Sequence, residues 1–363
     1  MSPLYLVVLA STQQEAEHLS NMQLPPDLQR ALAETLSSTP LKNIAQTAEK
    51  LSLRYRSGHA LNTAQQASFL HSEQDILAYA AYRLPATFAA ISAALLQICH
   101  THKPDWYPHT LLDAGAGPGT ATWAATQVWP EITHATLYEQ NRHMLDYGKK
   151  LATHAQSSVL KQATWQQGDI TTADPAQLGS FELVIAGYLL GELPLALHTA
   201  LIDKLWASTT DTLLLVEPGT PRGFSLIRAA RAQLLAQGAF MLAPCPHQEA
   251  CPMPENDWCH FAQRITRTRL QRSVKGAELA YEDEKFSYCA LSKQNGSAIA
   301  GRVLRHPQKR SGHIHLELCT PAGLQQIIAT RSQRAAYREA HAIQWGEAIG
   351  ESLGELLEAN KGE

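Results

Sequence analysis

The sequence predicts an α/β protein with a doubly wound parallel-sheet core, a helical region before it, and a cysteine-rich segment with a small β region after it. Two observations carry this. From Thr110 onward, short apolar runs alternate with helix-length stretches, which is the pattern of strands joined by crossover helices. Beyond Pro244 that alternation stops and Cys, Pro and His become frequent. At 363 residues, two or three compact units are expected. We divide them as an extension (1–25), a helical domain (26–105), the core (106–243), a metal-binding loop with a basic segment and β region (244–346), and a tail (347–363). Hydrophobic residues at 45% and charged residues at 17% exclude intrinsic disorder.

In chain order, Pro25-Pro26 opens a helix with apolar positions Leu28, Leu32 and Leu36, and a second runs through Ile44, Ala48, Leu51 and Tyr55. After the Ser57-Gly58-His59 break, residues 72–99 are again helical, interrupted at Leu84-Pro85. Core strands are expected at 110–113, 135–139, 163–169, 183–188 and 212–217. Strands return at 286–291, 301–305 and 313–318, the last two joined by a basic tip, 307–312, as a hairpin.

No apolar run reaches the roughly 20 residues that cross a bilayer, so no membrane is expected. The first charged residue is Glu15 and the first basic one Arg30, which lacks the charge pattern of a secretory signal or a presequence and predicts a cytoplasmic protein. The six cysteines are then thiols or metal ligands rather than a disulfide framework. Net charge is −3, yet residues 260–340 carry 14 Lys and Arg against 6 Asp and Glu, a net +8 that leaves −11 for the remainder. Such asymmetry points to a polyanionic partner, nucleic acid above all.

Leu111 to Thr120 reads LLDAGAGPGT, between the first strand and a helix. The G-x-G-x-G spacing of Gly115, Gly117 and Gly119 lets the backbone turn sharply and approach a ligand. It matches neither the dinucleotide fingerprint nor the triphosphate loop. The segment resembles the loop of S-adenosylmethionine-dependent methyltransferases, which implies a Rossmann-like class I methyltransferase core. Asp113 precedes the glycines, Glu139 ends the second strand where a carboxylate can accept from ribose hydroxyls, and Asp169 sits where methyltransferases of this class commonly hold the adenine amino group. The Asn/Asp-Pro-Pro-aromatic motif of many nucleic-acid methyltransferases is missing after the fourth strand, which leaves Tyr188 and Glu192 as candidates facing the methyl group and the catalytic residues unknown.

Cys245, Cys251 and Cys259 follow one another at x5 and x7 spacing in a loop too poor in apolar residues to bury them as core. Thiolates favour zinc or iron–sulfur clusters, and these longer spacings lean toward a [4Fe-4S] cluster over zinc. Cys319, at a strand end before Thr320-Pro321, is favoured as fourth ligand over Cys289, His247 and His260. Cys289 in mid-strand and Cys99 at a helix end are read as structural. Arg264, Arg267, Arg269, Arg272 and Lys275 are expected on a helix, several on one face able to pair with phosphates.

Together these segments resemble the mitochondrial small-ribosomal-subunit methyltransferase-like family and its bacterial relatives, over about Leu24 to Gly346. Matching stretches are RLPATF at 83–88, the 113–119 loop, VEPG at 216–219, CPH at 245–247, WCHF at 258–261, KFSY at 285–288, CTP at 319–321 and QWG at 344–346. The resemblance implies a protein that binds the small subunit's RNA during maturation and holds a four-cysteine metal site on Cys245, Cys251, Cys259 and Cys319. Two readings follow that the sequence does not separate: an assembly protein with a methyltransferase fold that binds S-adenosylmethionine and methylates ribosomal RNA, and a catalytically inactive RNA-binding assembly factor with a structural zinc site. A metal-dependent methyltransferase of a small molecule is disfavoured by the basic region. A monomer is the expected state.

Overall fold

A computed structural model describes residues 23–37, 39–56, 72–267, 271–272 and 279–360. The helical region comprises α1 (Pro26–Leu36), α2 (Leu41–Arg56), α3 (Glu73–Tyr82) and α4 (Leu84–Thr101). The core follows as β1 (Thr110–Ala114), α5 (Thr120–Val128), β2 (His134–Glu139), α6 (Arg142–Ala152), α7 (Ser158–Gln162), β3 (Thr164–Gln167), α8 (Pro175–Leu178), β4 (Phe181–Gly187), α9 (Leu195–Ala207), β5 (Thr209–Pro218), α10 (Pro221–Ala236) and β6 (Phe240–Ala243). Then come β7 (Phe261–Thr266), β8 (Tyr281–Ser292), β9 (Arg302–Val303), β10 (Gln308–Arg310), β11 (His313–Thr320), β12 (Gly323–Thr330), α11 (Arg334–Ala342) and α12 (Glu351–Ala359). The large sheet runs β3-β2-β1-β4-β5-β8-β6, with β7 on β8. β2–β3 and β4–β5 pair in parallel, while β8 lies antiparallel to both β5 and β6. This is the class I methyltransferase core the sequence predicts, with β8 as the antiparallel strand inserted beside β5.

The chain divides into two compact units. The first holds Met1–Ala93, Asp113–Ile170 and Gln263–Glu284. Its α1 buries Leu28, Leu32 and Leu36 at four-residue spacing, one stripe of an amphipathic helix. Polar anchors fix that stripe: the buried Asp27 carboxylate accepts from the Gln156 N–H (2.6 Å), and the Thr35 and Tyr147 hydroxyls share a hydrogen bond of 2.9 Å. A capping box between Ser72 and Asp75 starts α3, a device worth about 1 kcal/mol. Arg83 forms a forked ion pair with Glu284 at 3.0 and 3.2 Å.

The second unit holds Ala94–Leu112, Thr171–Ala262 and Lys285–Glu363. Leu183 to Ala186 in β4 and Leu213 to Val216 in β5 are buried without a break, because a central parallel strand is covered on both faces. In the smaller antiparallel sheet, β9 and β10 both pair with β11, which pairs with β12, so the basic hairpin forms with Arg310 opposite His313. Ile314, Leu316 and Leu318 alternate inward against Ala336, Ala340, Leu353 and Leu357. Residues expected as a tail thus include a packed helix, α12. One further difference concerns α4, an 18-residue helix apolar enough to pass a bilayer test by length and composition, although 83% of it is buried within the protein. Runs of consecutive apolar residues do not reveal it, because small polar residues break them while no charge falls between Leu84 and Cys99.

A buried polar knot closes this unit. The Lys103 N–H donates to His102 Nδ1 (2.7 Å), so Nε2 carries the proton and donates to Asp211 Oδ1 at 2.8 Å. Thr212 and Ser292 hydroxyls donate to the same oxygen. Burial raises the Asp211 pKa, but these hydrogen bonds, that from His102 first, outweigh it and hold the carboxyl below its ordinary value. A lowered native pKa contributes stability that is full above the usual carboxylate range, near 3.9, and is lost as pH falls through the native value. Asp211→Asn should therefore cost about 1–3 kcal/mol in urea unfolding at pH 7. The gap to wild type should narrow at pH 3, and a gap that widens there would show the sign to be wrong.

Candidate functional site

The glycine loop lies wholly in the first unit. Gly115, Gly117 and Gly119 all have positive φ (69°, 55° and 83°), a region that side-chain-bearing residues rarely adopt. At Gly119 a Cβ would also meet Leu137 Cδ2 at 2.9 Å, whereas at Gly117 it would point into open space. Gly119 is thus required by packing and Gly117 by the loop's own path, leaving room for a ligand beside it. The Gly117 N–H donates to Glu139 Oε2 (2.8 Å) and the Asn141 N–H to Oε1 (2.7 Å), so two backbone donors orient the carboxylate at the end of β2. Burial nevertheless raises its pKa, against those bonds.

Asp113 behaves differently. It is 2% exposed, and its Oδ2 accepts both the backbone N–H and the hydroxyl of Thr122 at 3.0 and 2.9 Å. It fastens the start of α5 to the end of β1 and so sets the loop's shape. Burial lifts its pKa to about 7, with Glu139 adding to the rise and Thr122 opposing it. Asp169 is exposed just past β3. The loop, Glu139 and Asp169 therefore stand at the carboxyl ends of three successive strands, the edge at which open α/β sheets bind ligands.

The second unit has strand-end chemistry of its own. Tyr188 follows β4 with φ of 60°, a genuine outlier for so bulky a residue. Glu192 ends a short turn of 3₁₀ helix (Leu190–Glu192). Sequence reading does not single out Glu217: it is 1% exposed, accepts from the Gly191 N–H through Oε2 at 3.2 Å, and leaves Oε1 unpartnered. Burial pushes its pKa up to about 8. Its signal is a carboxylate directly after the apolar run Leu213 to Val216.

Cys245, Cys251, Cys259 and Cys319 all line one cavity in this unit. Strand alternation explains Cys319: Leu316 and Leu318 face the small core, and Cys319 faces the other way. The other three lie on an irregular loop whose backbone is fixed at several points. Arg228 donates to the Cys251 carbonyl (3.3 Å), Arg231 to those of His247 (3.0 Å) and Glu249 (2.7 Å), Arg302 to that of Pro244 (2.9 Å), and the Ser287 hydroxyl to that of Cys259 (2.8 Å). Trp258 Nε1–H reaches the Gly219 carbonyl (3.0 Å), and Arg305 grips Asp257 with two bonds. Among the described residues no three His, Cys, Asp or Glu side chains converge on single-ion spacing. The thiols instead surround a space.

The thiols feel one another. Burial raises the Cys259 pKa well above the ordinary thiol value, with Cys245, Cys251 and Cys319 adding to it, and burial with Cys245 and Cys251 pushes Cys319 up to about 12. Cys289 sits in β8, fully buried opposite Leu215 and outside the cavity lining. His247 does touch the group, with Nε2 3.5 Å from Cys319 Sγ.

Two residues that sequence reading misses stand out. Arg231 is 4% exposed and Arg302 0% exposed, and both line the thiol cavity. Arg231 shares a helical stripe with Phe224, Ile227 and Arg228, at i, i+3, i+4 and i+7, so the signal for it is a cation on a buried face. The basic segment also differs from expectation. Arg264 lies on strand β7 rather than a helix, in a forked pair with Asp283 and 4.0 Å over the Tyr281 ring. Arg267 follows the strand, near Glu282 at 3.4 Å. The alternation of buried Phe261, Gln263 and Ile265 sets a strand period there. Arg272 is exposed, and Arg269 and Lys275 lie outside the described residues.

Among known proteins, the family described as mitochondrial small ribosomal subunit Rsm22 matches residues 73–350. The human protein named ribosome assembly protein METTL17, mitochondrial, is 32% identical over 348 residues, covering 90% of this chain and 74% of that one. Rsm22-cox11 tandem protein 2, mitochondrial, of Schizosaccharomyces pombe is 27% identical over 331 residues, 76% of this chain but 43% of its own length, so this chain spans less than half of that relative. Solved structures with a similar fold include magnesium protoporphyrin IX methyltransferase of Synechocystis PCC 6803 with bound SAM (13% identity, TM-score 0.39, 66% of this chain and 90% of that one). Another is precorrin-6y C5,15-methyltransferase of Geobacter metallireducens (14% identity, TM-score 0.37, 56% and 87%). The relatives' mitochondrial names overturn the cytoplasmic address expected from the opening residues, where the placing of a few charges does not decide a compartment. By the match over residues 73–350 and the kinship with the human protein, this chain belongs to the Rsm22 family of mitochondrial small-ribosomal-subunit proteins.

Proposed function

We propose that this protein is a small-ribosomal-subunit assembly factor of the mitochondrial type that binds ribosomal RNA, carries S-adenosylmethionine at its glycine loop, and holds an iron–sulfur cluster on Cys245, Cys251, Cys259 and Cys319. The observation that carries the reading is the meeting of those four cysteines on one cavity in a chain of this family. Four sulfur donors suit zinc or an iron–sulfur cluster. The long x5 and x7 spacings of Cys245, Cys251 and Cys259 favour the larger group over a zinc knuckle. Anaerobically purified protein should contain about four irons per chain with a broad absorption near 400 nm. Cys319→Ala should lose the metal and Cys289→Ala keep it. Stoichiometric zinc without iron would replace the cluster by the structural-zinc reading, and the opposite cysteine result would reassign the fourth ligand.

For the cofactor, open space beside Gly117 and a carboxylate already aimed by two backbone donors support Glu139 as the ribose acceptor. Asp113 would act through the loop, with Gly115, Gly117 and Gly119 giving backbone access and Asp169 reaching the adenine. S-adenosylmethionine would supply an electrophilic methyl group, and no general base is assigned to its transfer. Glu139→Ala forfeits charge-assisted hydrogen bonds of roughly 1.5–3 kcal/mol, so calorimetry should register at least about a tenfold weaker affinity. Unchanged affinity would reject the assignment.

RNA binding is read from the basic region. Arg264 and Arg267 already have carboxylate partners; the hairpin residues Lys309 and Arg310, exposed on β10, are the phosphate-pairing groups of the second unit, while Arg269, Arg272 and Lys275 stand as those read from the sequence. Each cation–phosphate pair adds about 0.7–0.9 to the steepness of log affinity against log salt, so replacing Lys309 and Arg310 by Ala should flatten that slope by roughly 1.5 for small-subunit RNA. A slope indifferent to this change would remove the hairpin from the interface.

A further inference from the structure

The cavity wall holds more than sulfur. Arg231 donates one nitrogen, Nη2, to two loop carbonyls, and its Nε–H finds no acceptor although that atom is buried. Arg302 donates Nε to Pro244 and Nη1 to Gln97 and Gly346, while its Nη2 is buried and likewise without an acceptor. Neither guanidinium has a carboxylate at ion-pair distance among the described residues. The acids nearest in sequence to their partners form no ion pair with them: Glu249 is exposed, and Glu347, which feels the Arg302 charge, spends one oxygen on the Gln344 N–H.

An unpaired buried charge is among the most expensive things a fold can contain, at several kcal/mol each, and a guanidinium does not shed it by losing a proton. Two of them on one small cavity, each with a spare donor, require an anion there. The same cavity presents four thiols, and four thiolates around a dicationic centre leave a net charge of about −2. The charges match. Resting on the four-cysteine reading above, we propose that Arg231 and Arg302 are the built-in countercharges of this centre: they neutralise the thiolate-bound metal group and donate their free N–H groups toward its sulfurs.

The test begins with metal content of the wild type, which decides the four-cysteine reading by itself. If the wild type binds no metal, that reading and the countercharge role fall together. With metal bound, Arg231→Gln should give it up to a chelator at least about tenfold faster, the loss of one charge-assisted interaction. For an iron–sulfur centre, the midpoint potential measured by dithionite titration should move negative, since a nearby cation favours the more reduced, more negative state. Arg231→Lys keeps the charge but not the planar guanidinium whose Nη2 reaches both loop carbonyls, so it should restore most of the potential. Lys behaving like Gln would reduce Arg231 to a loop anchor and overturn the proposal, as would a loaded Arg231→Gln with wild-type release and potential. Should the wild type hold zinc, the release rates of the Gln and Lys variants decide in the same way. Arg302→Gln is the parallel variant, and circular dichroism of its apo form checks folding; if it does not fold, Arg231 decides alone.

Discussion

The irregular loop that carries Cys245, Cys251 and Cys259 depends on guanidinium groups that bind its carbonyls from outside. A loop without a ladder of its own must find partners for its buried polar backbone, and here arginines provide them. Arg228 and Arg231 come from one face of α10, and Arg302 from β9. Each guanidinium presents five donors in a rigid fork, so one side chain can hold two carbonyls and still have an N–H to spare. Lysine in the same positions would bring the charge without the fork. The loop's shape and the electrostatics of the thiol cavity are therefore set by the same residues.

The supports of the loop arise in different parts of the chain but within one unit. α10 leads from β5, β9 and β11 belong to the small sheet, and the loop itself follows β6. The small sheet is fixed independently, by Ile314, Leu316 and Leu318 against α11 and α12. Because strand periodicity is two, burying Leu316 and Leu318 on that core commits Cys319 to the opposite face. A one-residue slip of β11 would exchange their places. The position of the fourth thiol thus rests on hydrophobic packing that has no chemistry of its own.

The parts legible in the sequence are those where burial and residue type coincide. Strands β4 and β5 read clearly because central strands are apolar on both faces, and the helices of the N-terminal region because Leu28, Leu32 and Leu36 keep helical spacing. β12 is hidden because Gln325 and Gln326 interrupt it, and β7 reads as a helix because its arginines outweigh the alternation of Phe261 and Ile265. Cys319 can be preferred over Cys289 because a strand end is accessible and a mid-strand position is not. Arg231 and Arg302 cannot be singled out: in a sequence, a buried arginine has the same letter as a solvated one, and only packing reveals which it is.

The same distinction separates the two carboxylates of the glycine loop. Asp113 and Glu139 both precede or border a turn at a strand end, and by sequence both resemble ligands of a cofactor. Burial raises the pKa of each, but their hydrogen bonds lead in different directions. Asp113 gives one oxygen to both donors of Thr122, which ties it to the helix behind the loop. Glu139 takes one backbone N–H on each oxygen, from Gly117 in the loop and Asn141 beyond it, so both oxygens are oriented and neither is saturated. In the reading proposed above, Asp113 therefore builds the loop, and Glu139 is the acceptor that the loop would present to a ribose.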